Sequence, residues 1–359
     1  MLRGILKASL GSRSTLKTTG VYSLVCKSSY ATSGSIILNE NQVKSLGTDK
    51  TIENNIQSET NRLNKTRSKF WDKAEVKFDP KLNLFEIQLD GKTIKSPLGH
   101  PLALPAQKKQ LAYLIAHEWS NLPDSKIKTN SLPLTSIAAR SIDLININKE
   151  ENVNEEAIAK IGSLTDIKLN LLNYLDTDTC LVFAGFHEYH GTFRKKQDEL
   201  YFPLIEEFEQ YFNKYAEMKR GALTSVEKVK LQYIDTEVDG LRGNTQSPNV
   251  RGIVFHWLSS LPIYDLIALE KAVLMSKSFL CGATLLRSNC SDPELMKNLY
   301  QINKRSVDEY FFRSVDEIIE MGNLETIFQT NEWGEVEDTH DVDKVDWIRS
   351  LTSAALLSH

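Results

Sequence analysis

Six acidic or imidazole side chains crowd nine residues near the C-terminus: Glu335, Glu337, Asp338, His340, Asp341 and Asp343. These are the ligand types of a divalent-metal site, and hydrolysis by a metal-activated water would be the chemistry. The spacing departs from such a site in two respects. Calcium loops alternate oxygen ligands around a Gly at the sharp turn, and Glu335 to Asp343 contains no Gly. The single His also has no second His at helical spacing. The other reading is a polar helix start, with Thr339 or Asp341 as N-cap and the acids near the positive end of the final helix.

Two further groups invite a chemical reading. His187-Glu188-Tyr189-His190 places its two His three residues apart, whereas a zincin helix needs them four apart on one face. The following Gly191 predicts a loop or a helix end there. Asp176-Thr177-Asp178 offers paired carboxylates, but these residue types also suit the turn that closes a helix. Leu241-Arg242-Gly243 and Gly282-Ala283-Thr284 lack the further glycines and the Lys-Ser/Thr pair of a phosphate loop, and no GxSxG elbow is present.

The 359 residues are 41% apolar and 25% charged, the composition of an ordinary globular chain. No apolar run approaches the ~20 residues of a membrane-spanning helix. A net charge of −4 and the lack of a basic patch interleaved with aromatics argue against nucleic-acid binding. Residues 1–33 differ from the rest. They hold Arg3, Lys7, Arg13, Lys17 and Lys27, no acid, and many Ser, which is the composition of a mitochondrial transit peptide. Cleavage near Tyr30-Ala31 would leave a net charge of about −9, favouring basic partner surfaces. Cys180, Cys281 and Cys290 would remain, without the spacing of a zinc site or a disulfide framework.

The elements that must position any site follow from periodicity. Residues 34–67 are polar and predict a linker. Phe85, Ile87 and Leu89 alternate with polar residues as a half-buried strand does, and Asp90-Gly91 predicts a hairpin turn. Leu111, Leu114, Ile115 and Trp119 share a helical face. Beyond Asn152 the pattern is helical: a stripe through Ile158, Ile161, Leu164, Ile167, Leu171, Leu172 and Leu175, another from Leu200 to Phe212, and a third from Phe255 to Leu286. A pause at 289–293 and a run to Glu320 follow, while 237–252 predicts a loop. The expected fold class is α+β, with a small β-rich N-terminal domain at 68–135 followed by a larger all-helical C-terminal domain at 136–359.

From Phe70 onward the chain resembles the mitochondrial F(1)-ATPase assembly chaperones that hold the alpha subunit (assembly factor 2 type). FWDKAEV at 70–76, LDGKTIKSP at 89–97, Ala116-x-Glu118-Trp119, LPLTSIAARSID at 132–143 and YLDTDTCLVF at 174–183 carry the likeness. Gln197, the Phe202-Pro203-Leu204 turn and LETIFQTNEWGEVEDTHDVD at 324–343 complete it. The resemblance implies a matrix chaperone that is no enzyme and takes no cofactor, metal or nucleotide. It would be monomeric when free, and would bind the unassembled alpha subunit of F(1) until the beta subunit replaces it. It implies Glu325 as a protein-binding residue, pairing with an Arg of the alpha subunit or making a structural hydrogen bond. Gln329, four residues on, shares its helical face. Trp333 is an interface anchor or a buried structural Trp, and the same two readings hold for Glu118 and Trp119. The competing readings are a metal-dependent hydrolase using Asp338, His340, Asp341 and Asp343, and a structural subunit of a larger matrix complex.

Overall fold

The computed structural model describes Lys69 and residues 71–122, 131–149, 155–221, 227–240, 242–337 and 339–358. The expected targeting segment and linker, together with Asp338 of the acidic run, lie outside these residues.

Alternating inward residues make the first layer. β1 (Ala74–Asp79) pairs antiparallel with β2 (Leu84–Leu89) along its whole length, from Ala74 opposite Leu89 to Asp79 opposite Leu84. The opposite edge of β2 is shared by β3 (Lys92–Thr93) and β4 (Ala103–Pro105). Asp90 and Gly91, both at positive φ (47° and 76°), turn the chain between β2 and β3. The Asp90 carboxylate also accepts the backbone N–H groups of Asp72 and Lys73, tying the chain entry to the hairpin. Phe85, Ile87 and Leu89 point into the core, where α1 (Lys109–Ser120) covers the sheet with Leu111, Ala112, Ile115 and Ala116.

The rest of the fold is helical, so the class is α+β. α2 (Pro133–Ile147) packs on α1, and α3 (Glu155–Ile161) and α4 (Leu164–Asp176) follow. β5 (Val182–Phe183) pairs in parallel with β6 (Ile234–Asp235), flanking the long α5 (Thr192–Met218). α6 (Pro248–Ser260), α7 (Ile263–Ser276) and α8 (Phe279–Asn289) come next. α9 (Val315–Gly322), α10 (Leu324–Trp333) and α11 (His340–Ser358) close the chain. α7 is buried along most of its surface, from Leu266 to Val273, because α2, α4, α8 and α11 all pack against it. The apolar core runs without a break from Phe85 and Ile87 of the sheet to Leu351 and Leu357 of α11.

Three stretches differ from the sequence expectation. The stripe from Ile158 to Leu175 is two helices, because Gly162 turns the chain at φ 83° and Ser163 caps α4 by accepting the Asp166 N–H. The expected loop at 237–252 gives way at Pro248 to α6, which Ser247 caps and Pro248 opens, a start signal hidden among Gly and Asn. Residues 301–314 are largely irregular and not a continuous helix. Side chains meet part of their backbone: Gln301 accepts the Phe311 N–H and donates to its carbonyl, while Ser288 Oγ accepts the Arg313 N–H.

Candidate protein-binding cleft

α10 is short and anchored at its start. Leu324 is buried, and Gly334 ends the helix at φ 87°. The preceding α9 has a complete capping box, with Ser314 and Glu317 each meeting the other's backbone N–H. Tyr201 of α5 donates its hydroxyl to the carbonyl of Met321, which fixes the bend between α9 and α10.

This bend faces a cleft of about 710 Å³. Its walls come from the segment before β5, from α5, from the end of α7 and from α9–α11. Glu188, Glu325, Asp343 and Lys277 are its charged lining residues. Lys277 reaches back to the carbonyl of Leu274 at 2.6 Å. Glu325 is exposed and accepts a hydrogen bond from Gln329 Nε2 at 3.0 Å. Among the described residues no cation lies within ion-pair distance of it. Glu325 and Gln329 share one face of α10, as their spacing predicts, and the Nε2 hydrogen bond joins them.

An aromatic ridge continues from the cleft along α10. Phe328 packs on Phe193 at 5.1 Å and on Tyr189 at 5.7 Å between ring centroids, and Trp333 follows 6.1 Å from Tyr189. Trp333 is 73% exposed, which removes the reading of a buried structural Trp. Tyr189 is held in the left-handed region at φ 47°, followed by His190 at 54° and Gly191 at 76°. That conformation is uncommon for a bulky residue, and backbone strain of this kind concentrates at functional positions. Burial, and then the carboxylates of Glu325, Glu188 and Glu332, push the Tyr189 phenol above its usual range. The site thus combines acids that pair with no cation among the described residues and an exposed aromatic edge. Such a surface can take a Lys or Arg side chain and cover its apolar stem.

Glu118 and Trp119 lie elsewhere and serve the scaffold. The Glu118 carboxylate accepts the N–H groups of Leu134 and Thr135 and the Thr135 hydroxyl. The Trp119 indole donates to Thr135 Oγ1 at 3.0 Å and meets the Trp71 ring edge-on at 5.1 Å. Gln197 pins β5 to α5, accepting the Ala184 N–H and donating to the Val182 carbonyl.

The other chemical groups are also placed. Among the described residues no three His, Cys, Asp or Glu side chains converge as metal ligands. His340 uses Nδ1 to accept the Val336 N–H at 2.7 Å, a turn contact at the start of α11. His187 and His190 are exposed in the strained turn. Asp176 pairs with Arg251, and Asp178 is fully buried, accepting the N–H groups of Cys180 and Leu280 at 2.8 Å each. Tyr189, Phe193 and Phe328 were not expected from the sequence. The Tyr189-Phe193 spacing suits one helical turn, but nothing local ties either ring to Phe328.

A family model described as ATP12 chaperone protein matches residues 68–209. Protein ATP12, mitochondrial, from Saccharomyces cerevisiae is 44% identical over 312 residues, covering 87% of this chain and 90% of the relative. Protein atp12, mitochondrial, from Schizosaccharomyces pombe is 31% identical over 290 residues, covering 81% of each. The crystal structure of Atp12 from Paracoccus denitrificans matches with a TM-score of 0.52 at 20% identity, over 81% of this chain and 97% of that one. A point mutant of P. denitrificans Atp12p gives 0.54 at 20% identity, over 82% and 99%. At that identity the two structures speak for the fold alone.

Proposed function

The chain belongs to the ATP12 chaperone family, and from that premise we propose that it is a mitochondrial assembly chaperone of F(1) ATP synthase. It works in the matrix and binds the unassembled alpha subunit, covering the interface of that subunit until the beta subunit replaces it. A subunit built for an alternating ring presents a large apolar surface when alone, and such surfaces aggregate. Holding it requires a complementary surface and moderate affinity, without catalysis or nucleotide.

The observation that carries this reading is the α10 face. Glu325 stands at the cleft with no cation paired to it among the described residues, and Trp333 stands 73% exposed eight residues on. A carboxylate of this kind is suited to an Arg of the client, with Gln329 holding its orientation.

The test is a pull-down from matrix extract of cells lacking the beta subunit. Free alpha subunit should be recovered with the chaperone and lost when beta is restored. Glu325→Lys should weaken that capture by about tenfold or more, since like charges across an interface repel, while leaving thermal melting unchanged. Recovery of no alpha subunit overturns the reading. Normal capture by folded Glu325→Lys removes Glu325 from the interface.

A further inference from the structure

The outer face of α11 carries three exposed apolar side chains where a surface helix is ordinarily polar, with Asp341, Arg349 and Thr352 between them. Trp347, Leu351, Ala354 and Leu357 are turned into the core. Val342, Val345 and Ile348 follow at i, i+3 and i+6, inside an arc of about 120°, on a different side of the helix. They are 56%, 57% and 46% exposed. Trp333 and Val336 are exposed at the turn that leads into the helix. Helix propensity does not account for the three positions, because β-branched side chains are poor helix formers. A run of exposed apolar side chains with a polar border is the mark of an interaction surface.

We propose that this face of α11, together with Trp333 and Val336, is a second docking surface, and that it fits an apolar client patch edged with Lys and Arg side chains. The border selects the partner. Glu332, Glu335, Glu337 and Asp341 are exposed on the segment that leads into and begins the helix; Lys344 is an exposed cation, and Arg349 of the same arc is paired with Asp346. Two copies of this chain joined through the face would bring the two acidic borders together, which opposes self-association. Asp343 and Trp347 of the same helix wall the Glu325 cleft, so one client lying across the start of α11 can reach both surfaces. The identity of that client, the alpha subunit, rests on the function proposed above; the chemistry of the face does not.

The test uses the full chain and Val345→Asp with Ile348→Asp, both at exposed positions, with single Val345→Asp as the milder variant. Three probes are applied: purified F(1) alpha subunit, a synthetic amphipathic helix of Leu and Lys, and its counterpart of Leu and Glu. The expected result is a tenfold or greater loss of alpha capture in the variant with unchanged melting. Binding of the Leu/Lys helix to the unaltered chain should be lost in the variant, and the Leu/Glu helix should not bind. If the unaltered chain captures alpha and the variant captures it equally, the second surface is overturned while the chaperone reading stands. If no alpha is captured but the Leu/Lys helix binds and is lost in the variant, the surface stands and its client is another protein. Sedimentation of the unaltered chain as a dimer that the variant splits would assign the face to self-association and overturn the proposal.

Discussion

Glu118 holds Thr135 twice, accepting its backbone N–H at 2.9 Å and its hydroxyl at 2.8 Å. The same carboxylate takes the N–H of Leu134 at 2.7 Å. α2 opens at Pro133 behind Leu132, whose side chain has no oxygen to cap a helix. Glu118 therefore caps α2 from the neighbouring α1. Of the two readings open for Glu118, an interface residue or a structural one, these bonds support the structural role, since the carboxylate joins two helices.

Glu118→Ala leaves two N–H groups of the first turn without their acceptor and should cost about 1–3 kcal/mol of stability. Glu118→Gln, which keeps one acceptor oxygen, should lose less. Urea unfolding measures both. Client capture per folded molecule should stay unchanged, and lost capture at full stability would contradict the capping role.

The two tryptophans separate binding from folding. Trp333 is exposed and lies at the edge of the aromatic ridge, so Trp333→Ala should change stability by no more than about 0.5 kcal/mol. It should nevertheless weaken client capture about tenfold, as loss of an aromatic anchor does. Trp119 is half-buried against Trp71 and bonded to Thr135, so Trp119→Ala should cost about 2–4 kcal/mol. Thermal melting and capture, measured on both variants, should move in opposite patterns.

What the sequence disclosed was local. The alternation of Phe85, Ile87 and Leu89, the Asp90-Gly91 turn and the shared helical face of Glu325 and Gln329 all follow from spacing within a few residues, and all three are present. The aromatic ridge could not be read, because Tyr189, in the turn before α5, and Phe193 of α5 meet Phe328 only where α10 packs against them. Trp333 carried two readings for the same reason: hydrophobicity marks a core residue and an interface residue alike. The helix expected up to Glu320 gives way at 301–314, where side chains such as Gln301 and Ser288 meet backbone groups in place of helical bonds.

Two buried acids contribute to the pH dependence, beside Glu118 and Glu270, whose carboxyls burial also raises. Burial pushes the Asp265 carboxyl up from 3.8 to about 6, against the pull of the Tyr300 hydroxyl bonded to it and of the nearby Lys108. Burial likewise pushes Asp178 from 3.8 to about 6, against the donors around it. A folded-state value above the unfolded one means that the native state holds the proton more tightly. The resulting stabilisation is complete below the unfolded value of 3.8 and is lost as pH rises through about 6. Glu207 and Asp235, held low among their cationic and amide partners, act in the opposite direction at more acidic pH. Melting temperature should therefore fall as pH rises through this window. Asp265→Asn retains an acceptor for Tyr300 and should flatten part of the slope. An unaltered slope would show that Asp265 does not titrate there.

Gly282 lies inside α8, where helix propensity favours Ala by about 1 kcal/mol. Packing points the other way. A Cβ at Gly282 would stand 2.6 Å from Val273 Cγ2, 3.0 Å from Leu269 Cδ1 and 3.4 Å from the Leu269 carbonyl, all on α7. α7 has little room to yield, since α2, α4 and α11 also press on it. Overpacking of this degree costs about 1–3 kcal/mol and should outweigh the gain in propensity. Gly282→Ala is expected to melt at a lower temperature, and Gly282→Val lower still because its two γ-carbons meet the same wall. A Gly282→Ala protein more stable than the parent would mean that α7 and α8 can separate by several tenths of an ångström without loss, and the close contact would then not be what fixes their spacing.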